Sequence, residues 1–203
     1  MKTKISLRLF PKVDLAAWIE LWRPYIEEYD DDLYDEGVKL LSNLTDETSW
    51  KSGLEKCFEW KRGMPLSRKL RASVGRILLE KWTEWKLSGE VPRHFSGNVW
   101  NFFLLHLLSG GWTNPVAGRP IFDQHVWRAY CWIASVDCVE LQMQRDWTRC
   151  EESFGKYEEW FRSTIPHGVK PQHFDRAVMA FGRFLKQYKP VVDADPFYGN
   201  RKE

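Results

Sequence analysis

The stretch that decides the fold is NVWNFFLLHLL, at residues Asn98–Leu108. Its polar side chains are Asn98, Asn101 and His106, and apolar side chains occupy every side of a helix built from it. A helix that is apolar all round must be buried on all sides. We therefore predict a helix over Asn98–Leu108 in the centre of the domain.

The loop after this helix, SGGWTNPVAGRP at residues 109–120, contains three glycines and two prolines. Such residues interrupt regular structure, so we predict a rigid, irregular connection. It leads to Ile121, Phe122 and Asp123, and then to a helix from Gln124 to about Ser135.

Helical periodicity extends outward on both sides, and no convincing alternating strand pattern occurs. We predict an all-α fold, a compact bundle of about eight helices around the central apolar one. The earlier helices are one capped by Asp14, one over 32–42, one opened by Asp46 or Thr48, and a long one over 66–87. The later helices cover 142–162 and 172–188, and the chain after Pro190 is predicted to be extended.

The predicted helix over 66–87 has an apolar face and a basic face. The apolar positions recur at helical spacing and are Leu70, Val74, Ile77, Leu78, Trp82 and Trp85. The basic positions, roughly opposite, are Arg68, Lys69, Arg76 and Lys86.

The 203 residues have a net charge of +2 but an uneven distribution. Residues 13–60 contain 13 acidic and 4 basic side chains, whereas residues 61–100 contain 9 basic and 3 acidic ones. We interpret the chain as a single domain over 1–203, with an acidic helical part (13–60), a basic and catalytic helical part (61–190) and a tail (191–203). The asymmetry favours an anionic partner, and ordinary solvated helices are the alternative.

Several classes of function lack their sequence patterns. The four cysteines form no CxxC pair and no zinc spacing, so we expect buried thiols in a reducing compartment and no metal. No apolar run approaches the roughly 20 residues of a membrane span, and we expect a cytoplasmic protein without a membrane partner. Phosphate-binding glycine loops and zinc-protease motifs are also missing from the sequence, and we expect no cofactor.

The segment GRPIFDQHVWRAY, at residues 118–130, is the most specific functional signal. Asp123 stands at the N-cap position of the following helix, where a carboxylate accepts backbone N–H bonds and gains from the helix dipole. We expect it to be ionised and rigidly placed at the mouth of the loop. An ordinary capping aspartate is the alternative.

This segment resembles the catalytic segment of the helix-hairpin-helix DNA glycosylase superfamily, in particular its 8-oxoguanine DNA glycosylase-like branch. The resemblance rests on a proline, two apolar residues and Asp-x-His-Val, preceded by an apolar helix, and it covers about residues 95–132. It implies a glycosylase-like helical fold and double-stranded DNA with a flipped base as the partner. Compact variants of this branch occur in bacterial antiphage gene clusters, which would add defence-system proteins as partners.

The resemblance assigns roles to three residues of the segment. Asp123 would stabilise the positive charge that develops on the sugar, or activate the nucleophile. His125 would orient the aspartate loop or contact a phosphate, and Arg128 would contact a DNA phosphate. A helix-packing histidine and a surface arginine are the alternatives.

Two departures from the family pattern are informative. Bifunctional members carry a lysine at the start of the central helix, but residues 97–120 contain none. A Schiff base needs an amine, so we predict a monofunctional enzyme without lyase activity. The family's Leu-Pro-Gly-x-Gly hairpin is reduced here to HFSGN, in which Gly97 is the retained glycine.

The remaining candidate residues would surround the DNA. Trp112, Asn114 and Trp100 are the candidates for a base pocket, through stacking and hydrogen bonding. Packing of Trp112 and Trp100 into the core is the alternative. The candidates for the DNA backbone are Arg76, Lys86, Arg93, Gly97 and Arg119.

The sequence thus predicts a monofunctional DNA N-glycosylase acting on damaged or modified bases. Two alternatives of other classes stay open. One is a non-catalytic DNA-binding protein of the same fold, and the other is a helical protein-interaction domain in which Asp123 is only a cap.

Overall fold

The computed structural model describes residues 14–26, 31–114, 117–134 and 147–187, and all of their regular structure is helical. The all-α prediction is therefore confirmed for this part of the chain. Two short 3₁₀ helices, Arg23–Ile26 and Gly111–Thr113, accompany the α-helices. The α-helices are α1 Leu15–Trp22, α2 Asp31–Leu41, α3 Glu47–Arg62, α4 Arg68–Gly75, α5 Leu79–Ser88, α6 Asn98–Leu108, α7 Gln124–Ile133, α8 Trp147–Thr164 and α9 Pro171–Gln187.

The starts of α1 and α3 were predicted well because each depends on a short-range hydrogen bond. Asp14 accepts a bond from Ala16 N, and Asp46 accepts bonds from the backbone of Thr48 and Ser49. These caps satisfy N–H groups that have no partner inside the helix. Four of the predicted boundaries lie outside the described residues: the helix ends at about Ser135 and at Tyr188, the helix start at Gln142, and the tail after Pro190.

The single helix predicted over 66–87 is wrong, since two helices occupy this stretch. α4 ends at Gly75, and the N–H groups of Arg76 and Ile77 bond back over only three residues to Ser73 O and Val74 O. Leu78 is extended (φ −95°, ψ 147°), and its side chain is exposed. Glycine is a poor helix former, and the break lets Ile77 enter the core at the expense of Leu78.

The chain forms two compact units, Ile26–Ile121 and a discontinuous unit of Met1–Tyr25 with Phe122–Glu203. We call these the central unit and the terminal unit. The boundary between the acidic and the basic segment, at residue 60, lies within α3 and therefore inside the central unit. The expectation of one domain over 1–203 stays a prediction.

In the described part of the central unit, α2 packs along α3, and α6 forms the apolar interior as predicted. Every residue of α6 from Asn101 to Leu108 is buried, including His106. Gly37 and Gly53 permit the close approach of α2 and α3, because a Cβ at Gly53 would lie 2.7 Å from Gly37 O. Bulkier residues at these two positions would force the helices apart.

In the described part of the terminal unit, α9 is the common neighbour of α1 and α7. The aromatic rings of Trp18 and Trp22 on α1 contact Phe181 on α9, with centroids 5.6 and 5.1 Å apart. The first described helix therefore packs against the last one described.

Among the described residues, no helix combines the length and the apolar character needed to cross a membrane. Cys57, Cys131 and Cys150 are buried, as predicted, and Cys138 lies outside the described residues.

Candidate active site

Asp123 is the N-cap of α7, as the sequence predicts. Its Oδ1 accepts hydrogen bonds from the backbone N–H of His125 at 2.8 Å and of Val126 at 3.3 Å. Its backbone is extended (φ −152°, ψ −178°), which lets the side chain reach back over the first turn of the helix. The carboxylate is thus held against the positive end of the helix dipole.

Packing of the preceding residue fixes this cap in place. Phe122 is fully buried, and its ring contacts Phe154 and Tyr157 of α8 at centroid distances of 5.5 and 5.6 Å. Asp123 itself is only 6% exposed. The carboxylate is thus held by hydrogen bonds and neighbouring packing, and it lies deeper than the loop mouth at which we expected it.

His125 is half-buried beside Asp123. No described residue makes a hydrogen bond to its Nδ1. Burial is the largest cause of the lowered pKa of His125, and the Asp123 carboxylate opposes it. Three cations lower the pKa further: Arg128, Arg183 and Lys186. His125 is therefore a neutral ring at pH 7 in a cationic environment.

Arg128 is half-buried and is held by the neighbouring helix. Its Nη1 donates to the carbonyl oxygen of Gly182 on α9 at 3.3 Å. A Cβ at Gly182 would lie 1.9 Å from His125 O, so the glycine permits the close crossing of α7 and α9. Asp123, His125 and Arg128 are thus brought together in the terminal unit, on the first turns of one helix.

A second buried carboxylate belongs to this region, and our sequence reasoning missed it. Asp175 of α9 is 2% exposed, and the Tyr157 hydroxyl donates to its Oδ1 at 3.4 Å. Burial is the largest cause of a strongly raised pKa of Tyr157, and the charges of Asp175 and Asp123 raise it further. Helical spacing in the sequence could have pointed to Asp175, since it shares a helix face with Val178, Met179 and Gly182.

The three residues predicted for a base pocket lie in the central unit, where their side chains are held by its own core. The Trp112 ring contacts Tyr34, Trp60 and His106 at 4.8, 5.3 and 5.3 Å. Trp100 stacks on Phe58 at 5.4 Å. Both rings match the packing alternative weighed for them, and their role at a base stays a prediction.

Asn114 stabilises its own loop through both ends of its amide. Its Nδ2 donates to Ser109 O at 3.2 Å, and its Oδ1 accepts from Ala117 N at 3.0 Å. These bonds join Asn114 to Ser109 on one side and to Ala117 on the other. Reading of a base edge by Asn114 would require an exchange of these partners.

A buried hydrogen-bond network anchors the end of this loop to α6. The Nδ1 of His106 donates to Arg119 O at 2.5 Å, because a carbonyl oxygen can only accept. The Nε2 of His106 therefore accepts from the Tyr34 hydroxyl at 2.7 Å. Burial lowers the pKa of His106 to about 4, and the Lys61 charge also lowers it, while the bond to Arg119 O raises it.

The segment HFSGN, at residues 94–98, is hydrogen-bonded by a side chain of α6. Asn101 Oδ1 accepts from the backbone N–H of His94 and Phe95 at 3.0 and 2.8 Å, and Asn101 Nδ2 donates to Phe95 O. Gly97 has φ −107°, a conformation open to any residue. The N–H groups of His94 and Phe95 are therefore used within the protein.

The predicted DNA-backbone residues lie in the central unit. Arg76, Lys86 and Arg93 are exposed, and Arg119 is half-buried with its backbone N–H bonded to Ser109 Oγ. Arg76 Nη2 donates to Ser73 Oγ at 3.1 Å. Exposure leaves the first three accessible to a phosphate, and their contact with DNA stays a prediction.

Within the described ranges, no cluster of three or more His, Cys, Asp or Glu side chains is arranged to hold a metal ion. Comparison of the chain with protein-family models, curated proteins and solved structures gave no match.

Proposed function

We propose that this chain is a monofunctional DNA N-glycosylase that removes a damaged or modified base after nucleotide flipping. Asp123 is the proposed catalytic residue, and His125 and Arg128 are the proposed neighbours that orient it or contact a phosphate. Double-stranded DNA as the partner and a role in antiphage defence follow from the resemblance to helix-hairpin-helix DNA glycosylases. The proposed cytoplasmic location follows from the expected reduced thiols.

The observation that carries the proposal is the position of the Asp123 carboxylate at the N-terminus of α7. Two backbone N–H bonds hold Oδ1 in place, directly after the irregular loop that follows the apolar helix α6. A fixed anion beside the sugar lowers the free energy of an oxocarbenium-like transition state, because it needs no reorganisation as the positive charge develops. Extrusion of the nucleotide brings the glycosidic bond to such a group.

The absence of lysine from residues 97–120 supports a glycosylase without lyase activity. Cleavage of the strand through a Schiff base requires an amine near the sugar. Water would then be the nucleophile, and an abasic site would be the product.

A specific observation favours a second candidate, a non-catalytic DNA-binding or protein-interaction domain. Asp123 is only 6% exposed, and Trp112 and Asn114 are engaged within the central unit. In this candidate, Asp123 is a helix cap.

The deciding experiment measures abasic sites in duplex DNA that carries a panel of modified bases. We expect the wild-type chain to release at least one base, and Asp123→Asn to lower the rate by about 100-fold or more. Asp46→Asn is the matched control, because Asp46 also caps a helix through two backbone bonds but belongs to the central unit. The control is expected to retain the wild-type rate.

Three outcomes would contradict parts of the proposal. A wild-type chain that releases no base supports the second candidate. An Asp123→Asn variant as active as the wild type reduces Asp123 to a cap. A covalent protein–DNA adduct trapped by borohydride would show lyase chemistry and would contradict the monofunctional assignment.

A further inference from the structure

The terminal unit buries two aspartates around one phenol. Asp123 is 6% exposed, Asp175 is 2% exposed and Tyr157 is fully buried. Burial of a carboxylate costs free energy unless hydrogen bonds or charges compensate it. The N–H groups of His125 and Val126 compensate Asp123, and the Tyr157 hydroxyl donates to Asp175.

Tyr157 is the structural link between the two carboxylates. Its hydroxyl donates to Asp175 Oδ1 at 3.4 Å, and its ring packs against Phe122, the residue that directly precedes Asp123. The charges of both carboxylates raise the pKa of Tyr157, which places both within electrostatic range of the same hydroxyl. The phenol is therefore a neutral donor to Asp175 that also lies within electrostatic range of Asp123.

We propose that Asp123, Tyr157 and Asp175 form one coupled acidic centre, in which Asp175 is a positioning residue that sets the pH at which Asp123 ionises. Asp175 acts through its charge and through the Tyr157 hydroxyl, without contact to the DNA. The catalytic meaning of this centre rests on the proposed glycosylase function, but its electrostatic coupling does not.

The direction of the coupling follows from like-charge repulsion. A negative Asp175 disfavours a second negative charge on Asp123, so its removal makes Asp123 ionise at lower pH. The bonds from His125 N and Val126 N favour the ionised form of Asp123. They are made by the backbone, so they are expected in the Asp175→Asn chain as well as in the wild type. The other titratable or charged groups near this centre or its neighbouring helix turns are His125, Arg128 and Tyr130 of α7, Lys156 and Glu159 of α8, and Arg176, Arg183 and Lys186 of α9.

The test measures the titration of the Asp123 carboxyl carbon by NMR in chains with labelled aspartate, assigned with Asp123→Asn. In Asp175→Asn we expect the midpoint of Asp123 to fall by on the order of one pH unit. Glu20→Gln is the matched control, since it removes one exposed negative charge from α1 of the same unit, and it is expected to leave the midpoint unchanged. The acid limb of the base-excision pH profile is expected to shift with the midpoint.

Tyr157→Phe provides a second variant that keeps the ring packing. Without the phenol, the charged form of Asp175 loses a hydrogen bond, so the Asp123 midpoint is expected to move in the same direction by a smaller amount. If Asp175→Asn does not fold, the Asp123 midpoint in Tyr157→Phe is the measurement that tests the coupling.

An Asp123 midpoint that stays at the wild-type value in a folded Asp175→Asn or Tyr157→Phe chain would overturn the coupling. A fall in excision rate at every pH without a shift of the acid limb would also contradict it, because that is the signature of a merely structural role. If the midpoint shifts but the wild-type chain releases no base, the coupled centre stands and the glycosylase function fails.

Discussion

His106 shows how one buried side chain makes the stability of the central unit depend on pH. It is fully buried, and both of its ring nitrogens are satisfied in the neutral form, by Arg119 O and the Tyr34 hydroxyl. Protonation would force Nε2 to donate instead of accept, and would place a charge in the core. The neutral ring is therefore part of the folded structure.

We predict that this residue makes the chain less stable in mild acid. Its pKa is about 4 in the fold and 6.5 ordinarily, so between these values the unfolded chain binds a proton that the folded chain does not. The contribution of neutral His106 to the free energy of unfolding is complete above pH 6.5 and is lost as the pH falls towards 4. Its total is about 3 kcal/mol. The measurement is the free energy of unfolding in urea at pH 7.5 and 5.0, for the wild type and His106→Gln.

The variant separates His106 from the other histidines. His125 and His173 also have lowered pKa values, but they remain in both proteins, so their effect cancels in the comparison. Parallel loss of stability in the two proteins between pH 7.5 and 5.0 would show that His106 does not titrate as described.

At the scale of helices, the crossing of α7 and α9 determines where the Asp123 turn lies. Gly182 allows the contact, because any Cβ there would collide with the backbone oxygen of His125. Backbone cannot move aside as a flexible side chain can, so the two helices would have to separate.

We predict that Gly182→Ala destabilises the chain by about 1–3 kcal/mol or more. The matched control is Gly155→Ala on α8, where a Cβ would meet no atom within 4 Å and the higher helix propensity of alanine should stabilise the chain by about 0.5–1 kcal/mol. Thermal and urea unfolding of both variants provide the measurement. Equal stability of the two variants would mean that the crossing adjusts without cost.

Local contacts decide some helix boundaries, and packing in the folded structure decides others. The starts of α1, α3 and α7 follow from aspartates that bond to the next turn. The break between α4 and α5 was missed, because a continuous apolar stripe runs through it. Burial of Ile77 and Trp82 against other helices outweighs that local pattern.

At the scale of the whole molecule, the terminal unit combines segments from both ends of the described sequence. α1 contacts α9 through Trp18, Trp22 and Phe181, although more than half of the chain separates them. The central unit contains residues 26–60 of the acidic segment and the whole basic segment over 61–100.

The basic segment leads to a prediction for DNA binding. If Arg76 and Lys86 each contact a phosphate, their joint replacement by alanine should reduce the slope of log K against log salt by about 1.8. Lys39→Ala, an exposed lysine of α2 in the acidic segment, is the control and should leave the slope unchanged. The measurement is the affinity for a short duplex across a series of salt concentrations. If the double variant keeps the wild-type slope, Arg76 and Lys86 do not contact DNA phosphates.

The sequence by itself determined the helical class, the buried helix α6 and the capping role of Asp123, because periodicity and caps act within one or two turns. Tertiary structure alone decided that Asp175 and Tyr157 lie beside the Asp123 turn, and that Asn101 bonds to the backbone of His94 and Phe95. These contacts join residues on different helices or across a loop. They depend on how helices pack, and the spacing of residues along the chain does not specify that packing.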